Sequence, residues 1–216
     1  MGILFEDDNF ATFRDGFLTT VELSAVSALF ALLLGTVLAA FRVSPVPALR
    51  AFGAVWVNVF RNTPLTLLFI AVVFALPRLG VHFDSFTFAV MALSAYTGSF
   101  VCEVLRSGIN TVPLGQAEAA RSLGLTFGQT LGQVVLPQAA RTVLGPMSSI
   151  FIALPRNSAI AGAFSVSELY TTQQTLTDKG YSIFPIFAWA ALAYLVLSFA
   201  VRGVFRLLES QLAVVR

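Results

Sequence analysis

The sequence predicts an all-α membrane protein of about five transmembrane helices. The N-terminus is expected outside, the C-terminus in the cytoplasm, and a short cytoplasmic helix between spans three and four. Three observations predict this. Of the 216 residues, 57% are hydrophobic and only 11% are charged. Soluble domains carry about 25% charged residues, so this chain cannot cover a globule with polar side chains, and lipid must solvate much of its surface. The apolar residues fall into runs close to the roughly 20 that a bilayer-spanning helix needs. Arg and Lys are unequally shared between the two sets of intervening segments, which sets orientation.

Five runs are expected to span, at about residues 17–41, 52–76, 86–105, 130–154 and 183–205. The second is bounded by Pro77 and the fourth by Pro155. Arg61 and Pro64 interrupt the second; Pro137, Arg141 and Pro146 interrupt the fourth. Such interruptions are tolerated only where the backbone is buried in protein or faces a wet cavity. One set of segments holds Arg42, Arg50, Arg106, Arg121, Arg202, Arg206 and Arg216; the other holds Arg14, Arg78, Arg156 and Lys179. The richer set is expected in the cytoplasm. The first residues carry Glu6, Asp7, Asp8 and Asp15 and no basic stretch, so no cleaved signal peptide is expected.

Composition also excludes functions. One cysteine, Cys102, forms no disulfide within the chain. With a single histidine, His82, no His/Cys metal site is expected. A net charge of +2 is too small to suggest nucleic acid. A membrane enzyme would need clustered His, Cys or carboxylates, and the acids are scattered. A channel or secondary carrier remains a rival, although no internal repeat is evident and an odd number of spans does not halve. A five-helix chain must draw the second half of a pathway from another subunit.

The segment 107–129 is too polar to cross the membrane. Pro113 suits the first turn of a helix. Ala117, Ala119 and Ala120 favour helix, and Gly124 suits the position just past its end. A helix of about residues 113–123 is therefore expected beside the membrane. Leu114, Ala117 and Leu123 form a weak apolar edge, and Glu118 and Arg121, three apart, could pair. Gly124, Gly128 and Gly132 recur every four residues, which allows tight packing where span four begins; loop flexibility is the plainer reading.

Within this segment, Glu118-Ala119-Ala120, three residues, Gly124, nine residues and Val134-x-Leu136-Pro137 resemble the EAA loop of permeases of binding-protein-dependent ABC importers. Val134 in place of Ile is the one departure. Phe60-Arg61-Asn62-Thr63-Pro64-Leu65, Ala95-Tyr96-Thr97, Glu103-x-x-Arg106-Ser107-Gly108-Ile109 and Arg156-Asn157-Ser158-x-Ile160 resemble the polar amino-acid branch. The stretches around Arg61 and Arg106 look most like glutamate importer permeases.

The resemblance implies a subunit of an ATP-driven importer of a polar amino acid, glutamate first, with glutamine or another polar amino acid as alternatives. It implies a multi-pass protein of the bacterial plasma (inner) membrane. It implies no catalytic residue and no cofactor in this chain, which lacks a phosphate-binding loop; ATP and Mg belong to two partner ATP-binding cassette subunits. The other partners are an extracellular amino-acid-binding protein and a second permease, expected as a related chain rather than an identical one. Glu118, Ala119, Ala120 and Gly124 are the candidate ATPase-coupling residues. Arg61, Thr63, Thr97, Arg156, Asn157, Ser158 and Glu168 are the candidate substrate residues. Arg156 and Asn157 are expected near the substrate carboxylate and Glu168 near its ammonium, around a short half-helix at residues 159–164. The plainer alternatives are a clamp on backbone carbonyls near Thr63-Pro64 for Arg61, and loop structure for the segment after span four. Arg141 is expected to pair with Glu103, Glu22 to snorkel, Cys102 to fill the core and His82 to be solvated.

Overall fold

The computed structural model describes residues 8–212, whose regular secondary structure is all helical, with no strand. Glu6, Asp7 and Arg216, used above for the N-terminal reading and for orientation, lie outside the described residues. Eight helical elements follow in chain order. They are α1 (Asn9–Val43), α2 (Pro47–Asn62), α3 (Leu65–Arg78), α4 (Ser85–Asn110), α5 (Leu114–Ser122), α6 (Phe127–Phe164), α7 (Leu169–Asp178) and α8 (Ile183–Leu212).

Three helices, α1, α4 and α8, are each long and apolar enough to cross a membrane. Two bent pairs, α2 with α3 and α6 with α7, raise the number to five if each pair is one span. At 1.5 Å per residue, the 35 residues of α1 extend about 52 Å, well beyond a hydrocarbon core of about 30 Å.

The expected second span is not one helix. It breaks between Asn62 and Leu65, and the axes of α2 and α3 differ by 108°. The residue before a proline is driven out of the helical region. Thr63 accordingly takes φ −94° and ψ 130° ahead of Pro64. The fourth span is corrected in the opposite sense. Pro155 does not end it: α6 runs from Phe127 through Pro137, Pro146 and Pro155. A proline removes the hydrogen bond to the residue four back. The helix responds upstream of Pro137 by widening into a π-turn at Thr130–Val135, and upstream of Pro77 by a second π-turn at Ala71–Ala75. Ala159–Phe164 is then a tight 3₁₀ continuation of α6, not a separate half-helix with its own N-terminus. The separate short helix is α7, which the sequence did not announce.

The core is a seam of small residues. α1 and α4 share the largest interface, and Ser27, Ala31, Gly35 and Ala39 of α1, with Ala92, Gly98 and Cys102 of α4, are buried. Without a hydrophobic force between helices in lipid, small residues gain dispersion contact through close approach. Phe69, Leu93, Phe151 and Leu154 close the core around α3, α4 and α6. Cys102 is fully buried, and His82 is exposed in the loop before α4. Gly128 and Gly132 do not pack tightly within the chain: a Cβ at either would meet nothing within 4 Å.

Candidate functional site

Two surfaces hold part of the candidate set. The first is α5. Its C-terminus closes with a hydrogen bond from Leu125 N–H to the Ala120 carbonyl at 3.2 Å and from Gly124 N–H to that of Arg121 at 2.9 Å. Gly124 holds φ at +86°, the left-handed conformation that this ending requires and that glycine adopts without strain. Ala120 is buried toward the rest of the chain, whereas Glu118 and Ala119 are exposed. Around them project Leu114, Leu123 and Phe127, at 80%, 83% and 76% exposure. Three large apolar side chains bare along α5 and the start of α6 offer a surface suited to a protein partner. Glu118 and Arg121 do not pair: no ion pair between them occurs among the described residues.

The second surface lies where α6, α7 and α8 meet. Arg156 is exposed on the last turns of α6 and lines a cavity of about 480 Å³ with Tyr170 and Gln173 of α7 and Tyr194 and Ser198 of α8. Glu168 sits behind this wall, fully buried. Its carboxylate accepts the backbone N–H groups of Tyr170 and Thr171, each at 3.0 Å, and the Tyr194 hydroxyl at 2.8 Å. Glu168 is thus the N-cap of α7, a donor-to-acceptor arrangement that holds the helix start in place. Glu168 does not itself line the cavity; Tyr194, which does, joins the cavity to its carboxylate.

The remaining candidates are not gathered here. Asn157 is half-buried beside Arg156. Ser158 is buried and donates its hydroxyl to the Pro155 carbonyl at 2.8 Å. Thr97 is buried on α4. Thr63 donates to the Val59 carbonyl at 2.8 Å, closing the end of α2. Arg61 reaches Glu103 at 3.7 Å and lies over the Phe100 ring, so it clamps a side chain rather than backbone carbonyls. Glu103 is taken by Arg42, Arg61 and Arg106; Arg141 is exposed and makes none of the described ion pairs. Tyr170 and Tyr194 escaped the sequence reading. The available signal was a tyrosine hydroxyl inside the apolar run of α8, which needs a partner when buried.

A family model for the inner-membrane component of binding-protein-dependent transport systems matches residues 31–214. The chain belongs to that family. Among relatives of this inner-membrane component, a glutamate transport system permease protein of Corynebacterium glutamicum is 40% identical over 195 residues, covering 84% of this chain and 86% of the relative. A probable glutamine ABC transporter permease protein of Bacillus subtilis is 35% identical over 198 residues, covering 92% and 91%. The inner-membrane component also superposes on a chain from the crystal structure of an amino acid ABC transporter with histidines. The TM-score is 0.86 at 27% identity, with 94% of each chain covered.

Proposed function

We propose that this chain forms half of the translocation pathway of an ATP-driven importer of a polar amino acid, and that the amino acid is glutamate. Its N-terminus lies outside and its C-terminus in the cytoplasm of a bacterial inner membrane. The α5 surface couples it to a cytoplasmic ATPase subunit, a second and related permease supplies the other half of the pathway, and an extracellular binding protein delivers the substrate. Family membership and the amino-acid transport systems to which the relatives belong support the importer. Glutamine is the second reading, favoured by the Bacillus subtilis relative.

The observation that carries the amino-acid reading is the cavity of Arg156. A free amino acid is a zwitterion and asks for one cation and one anion a few ångströms apart. Arg156 offers a guanidinium, which binds carboxylates with two parallel hydrogen bonds. Glu168 offers negative charge one hydrogen bond behind Tyr194. A small rotation of Tyr194 would expose that carboxylate to an ammonium group, so the site would be completed as substrate arrives.

The test is uptake of labelled glutamate by the whole complex with its binding protein, in proteoliposomes. Arg156→Ala should raise the KM for uptake at least about tenfold, the scale expected for losing a charge-assisted contact. Glu168→Gln keeps an acceptor for one of the two α7 N–H groups and removes the charge, and in complex that still assembles should do the same. Unchanged uptake in both variants would remove the cavity from the pathway, and faster uptake of glutamine than of glutamate would replace the substrate.

A further inference from the structure

Four charges meet at one end of the bundle and do not cancel. Glu103 on α4 receives Arg42 from the last turn of α1 at 2.7 Å and Arg106 at 2.9 Å. Arg61 of α2 reaches the same carboxylate only at 3.7 Å. One carboxylate thus faces three guanidiniums, a net charge of +2, and the two short contacts leave Arg61 as the guanidinium that Glu103 holds most loosely. Its side chain is 40% exposed, and it is steadied by the Phe100 ring, whose centroid lies 5.2 Å from the guanidinium carbon. Two N–H donors close to the cluster are also unanswered. Arg106 Nε and the indole N–H of Trp56, which packs in the cluster of Cys102, are buried with no acceptor among the described residues.

The depth of this cluster is set by the elements that carry it. Arg42 is the penultimate residue of α1. Helix α2 turns through 108° into α3 rather than continuing it. Its inner face, Gly53 and Val57, is buried on the chain, while Phe52, Val55 and Val59 on the opposite face are exposed and apolar. Such a helix, with Arg50 near its start, suits the interface between hydrocarbon and headgroups. The proposed topology puts this end at the cytoplasmic leaflet, whose surface is negatively charged. Unbalanced cations inside a membrane are costly and call for an anion or water. Here the surplus charge, the exposure of Arg61 and the depth all call for the same thing, a phosphate oxygen.

We propose that the Arg42–Arg61–Arg106 cluster binds the phosphate of an anionic phospholipid, with Arg61 as its main contact. Arg42 and Arg106 keep Glu103 neutralised, so the site survives between lipids. The site is separate from the substrate cavity of α6, α7 and α8, and it stands whether or not glutamate is the cargo.

The experiment is native mass spectrometry of the purified whole complex after equilibration with phosphatidylglycerol or phosphatidylcholine. The wild-type complex should retain phosphatidylglycerol in preference to phosphatidylcholine. Arg61→Gln should lower that preference about fivefold, the effect of one arginine near an anionic surface, while Arg42 and Arg106 still satisfy Glu103. Arg141→Gln, which removes an exposed arginine elsewhere, should leave the preference unchanged. Equal retention of the two lipids, or a preference that survives Arg61→Gln, overturns the proposal. So does loss of the preference in excess inorganic phosphate, which would make the ligand a free anion. Dissociation of the permease subunits in Arg61→Gln would assign the cluster to a contact between subunits and overturn it equally.

Discussion

Gly35 shows how little room the α1–α4 seam leaves. A Cβ at this position would sit 2.5 Å from Val101 Cγ1 and 2.7 Å from the Gly98 carbonyl oxygen. Val101 could turn aside, but the carbonyl belongs to the backbone of α4 and cannot. Gly35→Ala should therefore cost about 1–3 kcal/mol, the range for overpacking a close-packed core. Gly203 on α8 meets nothing within 4 Å. There the added methyl group restricts only the unfolded chain, and Gly203→Ala should leave stability equal or slightly higher. Thermal unfolding of the two purified variants separates these outcomes, and equal melting temperatures would show that the seam is looser than its distances. At the same scale, Gly162 leaves space for Glu168: a Cβ there would stand 2.6 Å from Glu168 Oε1. A glycine in the sequence does not tell which of these it is, because the neighbour that fills the missing side chain's place comes from another helix.

Helix α7 is the element the sequence did not reveal, and its composition says why. Leu169–Asp178 is mostly Thr and Gln, neither apolar enough for a span nor rich in strong helix formers. It exists because tertiary contacts answer its first backbone donors. Glu168 takes two of them, and the buried Thr20 hydroxyl of α1 takes Leu169 N–H at 3.0 Å. Thr20→Val keeps the shape and removes the acceptor, leaving a buried N–H unpaired at a cost of about 1–3 kcal/mol. Amide exchange in α7 should then quicken while α4 stays protected; unaltered exchange in α7 would show that Glu168 alone holds it. The hydrophobic runs, by contrast, were legible, because a helix facing lipid must be apolar along its whole length. The proline-bearing runs were legible only as interruptions. Pro64 breaks a span whereas Pro137, Pro146 and Pro155 are carried inside one. Pro137 follows a π-turn at Thr130–Val135, Pro155 precedes a 3₁₀ turn at Ala159–Phe164, and Pro146 sits in regular α-helix, and no local pattern declares which of these a proline will take. The motif of α5 was legible for another reason: Glu118 and Ala119 are exposed, so they escape the compromises of packing within the chain. The cavity of Arg156 was half legible. Arg156 and Glu168 stood out as charges near an apolar segment, but Tyr194, which joins them, comes from the last helix.

At the scale of the whole molecule, the proposed function requires the bundle to turn a push on α5 into movement near Arg156. α5 is joined to the body by few features: the buried Ala120, the Gly124 turn and the capped start of α6. At that start the Thr126 hydroxyl accepts Gln129 N–H, and the Gln129 side chain accepts Thr126 N–H in return. This reciprocal cap makes the junction stiff. A displacement of α5 therefore passes into α6, whose far end carries Arg156. The surface that receives the push is exposed, so it can be changed without touching the core. Glu118→Lys reverses a charge there, and Gly124→Asp adds one at a position where a side chain meets no neighbour within 4 Å but the backbone must stay left-handed. Both variants should assemble and hydrolyse ATP at the basal rate. Both should lose most of the stimulation that substrate-loaded binding protein gives the reconstituted complex. The readout is the ratio of stimulated to basal ATPase activity. A wild-type ratio in both variants would show that force enters the bundle elsewhere, and would detach the Glu118-Ala119-Ala120 helix from coupling. A normal ratio in Gly124→Asp alone would confine the contact to the face of Glu118, because the turn would then be tolerating a side chain that points into open space.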